Sequence, residues 1–72
     1  MGLGNNLRNA RIKAGLTPEQ LAEKANISRP ALLKYEDGQA IPNFITGMKL
    51  ADALRVSAYD LLREGESHAA ES

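Results

Sequence analysis

The side chains of this chain that could do chemistry are hydrogen-bond donors and helix-capping groups rather than nucleophiles or metal ligands. The single histidine, His68, sits in a polar tail, and there is no cysteine. No glycine-rich loop follows a strand, and no pair of carboxylates shares one helical face, so catalysis and metal binding lack their usual parts. Glu36 and Asp37 adjoin, but at a helix end, where ion pairing and solvation account for them. The expectation is therefore a non-enzyme without cofactor or metal. What stands out is a set of long donors, Arg29 and Lys34, which fall with Pro30 and Leu33 along one side of a helix. Thr17 and Asn43 stand at helix starts, where unpaired N–H groups and the helix dipole favour an anion. This is binding chemistry.

Such donors need a rigid element to present them, and residues 17–37 carry its signals. Thr17 can cap a helix whose first position is Pro18, and Gln20 can complete a capping box. That helix ends near Ala25, and Asn26 tolerates the left-handed conformation of a sharp turn. Ile27 then enters the core, and Ser28 can cap a second helix running to about Asp37. Two short helices joined through so tight a turn form a helix-turn-helix, whose second helix can enter a DNA major groove.

The remaining elements follow from periodicity. A first helix starts at Asn5 or Asn6 and carries Leu7, Ala10, Arg11 and Ala14 at helical spacing. Gly15 suits the left-handed position past its end, with Leu16 folding back. The second helix turns Leu21, Ala22 and Ala25 inward, and the third turns in Leu32 and Tyr35. Asn43 caps a fourth helix, about Phe44 to Leu54, whose stripe is Phe44, Met48, Ala51 and Leu54. Gly47 weakens that helix by about 1 kcal/mol relative to alanine unless another backbone passes close by. Ser57 caps a short fifth helix over Ala58 to Arg63. Residues 1–4 read as a flexible lead-in, 5–63 as one domain and 64–72 as a disordered polar tail.

At 72 residues the chain is one domain near the lower size limit for a self-standing core. The lack of cysteine fits a reducing cytoplasm. No apolar run approaches the roughly 18 residues of a membrane span, and no leader opens the chain. Net charge is zero, yet residues 1–34 hold six cations against two anions and residues 35–72 three against seven. The positive half contains the helix-turn-helix, so a locally positive face is expected there.

In joint order and spacing, Leu7 and Arg11, Gly15-Leu16-Thr17, Leu21-Ala22, Ile27-Ser28, Tyr35-Glu36 with Gly38, Pro42, and Ala51, Leu54, Val56-Ser57 resemble the phage-repressor or Xre-like (Cro-type) helix-turn-helix family. The resemblance spans roughly residues 5–62 and implies an all-α, compact five-helix, lambda-repressor-like domain. It implies that Arg11 and Glu36 form a buried structural ion pair joining the first helix to the end of the third. It also implies that Arg29, Pro30, Leu33 and Lys34 face base edges, with Arg29 and Lys34 as the polar readers. Thr17, Pro18, Gln39 and Asn43 match positions that contact phosphate. Pro30 and Leu33 depart from the usual polar residues on this face: each substitutes an apolar contact, and Leu33 could instead belong to the core or to a protein interface.

The implied function is sequence-specific binding of double-stranded DNA by a prokaryotic or phage transcriptional regulator of repressor type, acting as a homodimer on a palindromic operator. Met48, Tyr59 and Leu62, on the fourth and fifth helices, are the dimer-interface candidates. The alternative is a protein-interaction module on the same scaffold, antitoxin-like or an adaptor, favoured by neutral net charge, Pro30 and Leu33.

Overall fold

The computed structural model describes residues 2–62, which form five helices: α1 (Gly2–Lys13), α2 (Pro18–Ala25), α3 (Arg29–Asp37), α4 (Phe44–Leu54) and α5 (Ala58–Leu62). No strand occurs among the described residues. The expected tail at 64–72 lies outside them, as does Arg63, so α5 is described to Leu62.

Local chemistry sets most of the boundaries. Thr17 is the N-cap of α2, and its capping box with Gln20 is complete in both directions. Asn26 closes α2 in the left-handed region at φ 59° and ψ 45°, one of the few non-glycine residues suited to it. Ser28, Asn43 and Ser57 accept N–H bonds from Ala31, Thr46 and Asp60, at 3.2, 2.8 and 3.0 Å. Gly15 and Gly38 both take positive φ just beyond α1 and α3, where a side chain would be strained. Arg55 does the same at φ 60° after α4, a cap that no residue-type signal announced.

The core is a single cluster of Leu7, Leu21, Ala22, Ala25, Leu32, Leu50, Ala51, Leu54 and Leu61. Leu3, Leu16, Ile27, Tyr35 and Val56 pack against it half-buried. Ala22 is buried between neighbouring helices, where a larger side chain would force α2 away from its contacts.

Two expectations are corrected. The first helix begins at Gly2 instead of Asn5 or Asn6, so the lead-in assigned to residues 1–4 is helical from residue 2. The reason is tertiary: Gly4 is buried against the end of α3, and a Cβ there would stand 2.6 Å from the Glu36 carbonyl oxygen. The first turn of α1 exists because it packs, and capping residues inside the helix carry no signal of that. The second correction concerns α4. Phe44 and Met48 are 72% and 50% exposed, while Leu50 is buried with Ala51 and Leu54. The sequence offers α4 two apolar faces, and the one containing Leu50 meets the core.

The end of α3 is held to α1 by charge as well as by close approach. Arg11 donates from Nε to Glu36 Oε2 at 2.7 Å and from Nη2 to Oε1 at 3.2 Å. Its Nη1 donates to the Leu16 carbonyl at 3.0 Å, so one guanidinium ties α1, α3 and the turn leading into α2. Arg8 adds Nε at 3.5 Å from Glu36 and Nη2 at 3.1 Å from Asp37.

Two measurements check this junction. Replacing Glu36 by alanine strands a largely buried arginine and should lower the unfolding free energy by about 3 kcal/mol; a loss below about 0.5 kcal/mol in a urea titration would contradict the pair's structural role. Gly4→Ala should lose about 1–3 kcal/mol from overpacking against the α3 backbone. Gly47→Ala, with open space at its Cβ, should gain up to about 1 kcal/mol. Equal gains at both glycines would remove the close-approach argument.

Candidate nucleic-acid interface

The chain presents α3 with two unlike sides. Leu32 and Glu36 are buried, while Arg29, Pro30 and Lys34 are exposed and Leu33 is half-buried. Leu33 therefore sits at the border between the outer side of α3 and the core. Pro30 occupies the second helical position, where its missing N–H interrupts no helical bond. Lys34 has no ion-pair partner among the described residues.

Arg29 is not free. Its Nε lies 3.0 Å from Glu19 Oε2, across from α3 to the first turn of α2. The contact links the first residue of α3 to the first turn of α2, each of which lies at a positive helix end. Glu19 was not among the site residues read from the sequence; the only signal was an acidic residue in a first helical turn, which usually serves the helix dipole alone.

Capping leaves donors turned outward. The Thr17 oxygen accepts from the Gln20 N–H at 3.1 Å, and the Thr17 N–H donates to Gln20 Oε1 at 2.9 Å. The Thr17 hydroxyl still has its own hydrogen to donate. Asn43 uses Oδ1 to cap α4, which leaves its side-chain NH2 as a donor. Gln39 is exposed beyond α3, its backbone N–H bonded to the Lys34 carbonyl at 2.9 Å. Thr17 and Asn43 are exposed; Pro18 is half-buried at the first position of α2.

Charge in space differs from charge along the chain. Arg8, Arg11 and Arg29, three of the six cations in the first half, are engaged by Asp37, Glu36 and Glu19. Two of those carboxylates come from the acidic half, so folding cancels part of the asymmetry.

The dimer-interface candidates Met48 and Tyr59 are exposed; the side chain of Leu62 lies outside the described set. Ile41, Phe44 and Ile45 join them as exposed large apolar residues. Phe44 and Met48 line a small depression with Pro42, Asn43, Gly47 and Ala58. Among the described residues, no group of three or more His, Cys, Asp or Glu could hold a metal ion. No helix among them is long and apolar enough to cross a membrane.

Comparison with known proteins places this geometry. The family model described as Helix-turn-helix matches residues 7–61. The chain is 41% identical over 66 residues to the HTH-type transcriptional regulator ImmR of Bacillus subtilis, an overlap of 92% of this chain and 52% of ImmR. It is 34% identical over 61 residues to the cryptic phage CTXphi transcriptional repressor RstR of Vibrio cholerae, covering 85% of this chain and 54% of RstR. The chain thus spans about half the length of these curated relatives. Among solved structures, the restriction-modification controller protein C.AhdI of Aeromonas hydrophila superposes with a TM-score of 0.82 at 31% identity, over 85% of this chain and 92% of that one. SinR, solved in a SinR/SinI protein complex, gives a TM-score of 0.82 at 28% identity, over 94% of this chain and 65% of that one. With the capped α2–turn–α3 unit and the matched span of residues 7–61 together, the chain belongs to the helix-turn-helix family, in its phage-repressor or Xre-like branch.

Proposed function

We propose that this chain is a sequence-specific double-stranded-DNA-binding unit of a prokaryotic or phage transcriptional regulator, of repressor type, working in the cytoplasm. The observation that carries the reading is the two-sidedness of α3: Leu32 and Glu36 fix it to the protein while Arg29, Pro30 and Lys34 stay exposed. A helix held this way fits a major groove. Arg29 and Lys34 read base edges, guanine O6 and N7 being the commonest partners of such side chains. Pro30 and Leu33 supply apolar contact, for which a thymine methyl is the matching group. Thr17, Pro18, Gln39 and Asn43 position the phosphates without reading sequence. The family match, the regulator names of ImmR and RstR, and the controller C.AhdI support this reading. Binding of this kind needs neither catalytic step nor cofactor.

One recognition helix reads too few base pairs for useful specificity, so the working form is a two-fold dimer on a palindromic operator. The exposed apolar residues Phe44, Ile45 and Met48 of α4, with Tyr59 of α5, support self-association there. Gly47 adds a notch between Phe44, Met48 and Ala58 into which a partner's side chain can fit. The same apolar surface supports the alternative, a protein-interaction module, and SinR is a structural neighbour solved with a protein partner.

The test is a pair of titrations at one fixed salt concentration, with a duplex selected from a random library against its scrambled form. Arg29→Ala should cost roughly 1–3 kcal/mol more on the selected duplex than on the scrambled one. Asn43→Ala should weaken both alike, in part through lost capping. Stoichiometry at saturation should be two chains per selected site. Equal losses on both duplexes for Arg29→Ala would remove direct readout by that residue. Failure of the unmodified protein to bind either duplex at low salt would favour the interaction module.

A further inference from the structure

The geometry points to Glu19 as a positioning residue that fixes Arg29 for readout, so that sequence preference depends on a side chain that itself reads no base. The inference rests on the reading of Arg29 as a base-contacting residue and adds the group that sets its orientation.

The contact is placed where it constrains recognition more than stability. Glu19 Oε2 meets Arg29 Nε at 3.0 Å, with the side chains 64% and 51% exposed. Exposed pairs contribute little to stability. Yet each partner answers a local problem of the other. Arg29 is the first residue of α3, and no acidic residue occupies that helix's first turn, so its charge sits at the unfavourable end of the dipole. Glu19 lies in the first turn of α2, close to where backbone phosphate would bind, and alone it would repel that phosphate. Pairing offsets both charges.

The choice of atom matters. A guanidinium has five N–H donors arranged on two usable edges. With the Glu19 carboxylate on the Nε side, the Nη1/Nη2 end remains, and no other partner engages it among the described residues. That end offers two parallel donors, the pattern that matches O6 and N7 of guanine. Holding the side chain in one orientation beforehand also lowers the ordering cost on binding. Glu19 should therefore raise discrimination while lowering general affinity, since its charge opposes the phosphates.

The experiment uses the full chain and four variants, Glu19→Ala, Glu19→Gln, Arg29→Ala and the double Glu19→Ala/Arg29→Ala. Each is titrated with the selected duplex and its scrambled form at one salt concentration, after thermal melts establish that the variant folds. Glu19→Ala should tighten binding to the scrambled duplex and reduce the preference ratio by about three- to tenfold, a fraction of one bidentate contact. Glu19→Gln, which keeps an acceptor, should lose less. In the Arg29→Ala background, removing Glu19 should leave the ratio unchanged. An equal gain on both duplexes in Glu19→Ala, with the ratio intact, would reduce Glu19 to a repelling charge and overturn the proposal. A ratio that falls equally in the Arg29→Ala background would mean that Glu19 contacts a base itself, which also overturns it. If Arg29→Ala alone kept the full ratio, the base-reading role of Arg29 would fall first and the positioning role with it.

Discussion

A carboxylate almost wholly removed from water lies at the end of α3, and the orientation of the helices depends on how it is satisfied. Glu36 has a side-chain exposure of only 1%, which is untenable for an unpaired charge. Arg11 meets it through two N–H groups, and the third contact of the same guanidinium reaches the Leu16 carbonyl ahead of α2. One side chain of α1 therefore sets both members of the helix-turn-helix relative to the rest of the chain. Such pairs are weak contributors to stability compared with apolar substitutes of equal volume. Their geometry is far more specific than apolar packing, because two planar groups must meet edge to edge. Gly4 completes the junction by letting the two helix backbones approach more closely than any side chain would allow.

Fixing one side of α3 determines what its other side can do. Once Leu32 and Glu36 are committed inward, helical spacing leaves Arg29, Pro30 and Lys34 outward. The N-caps act in the same sense: Thr17 and Asn43 spend their oxygens on their own helices and keep O–H or N–H donors uncommitted. Under the proposed function, stability and recognition are served by different atoms of the same residues. In the same proposal the Glu19–Arg29 contact extends this economy to Arg29, since an exposed pair of little energetic weight can still decide which end of a guanidinium is offered.

The helix-turn-helix was legible in the sequence because its signals are local. Thr17-Pro18 with Gln20, Asn26, Ser28 and Gly38 each act within a turn of their own position, and each does so in the structure. The features that escaped are those set by partners far along the chain. Gly2 to Gly4 carry no helix signal, yet form the first turn of α1 against residues 35 and 36. In α4, Phe44 and Met48 keep helical spacing as faithfully as Leu50 and Leu54 do, so periodicity could not choose the face that α2 and α5 cover. Arg29 was recognisable as a donor, but its tie to Glu19 arises only where the turn brings two helix starts together. The charge asymmetry between the halves was real as a count, and folding reduces it by pairing Arg8 and Arg11 with residues 36 and 37.

Mapping backbone amide shifts as unlabelled duplex DNA is added to isotope-labelled protein tests the central claim most directly, because it reports which surface meets the nucleic acid. The account predicts that perturbations at low salt concentrate at the starts of α2 and α3, over Arg29 to Lys34, and at Gln39 and Asn43, and fade as salt rises. The α1 face around Leu7 and Ala10 should stay unaffected. Perturbations confined to Phe44, Met48 and Tyr59, with the outer side of α3 silent, would contradict it.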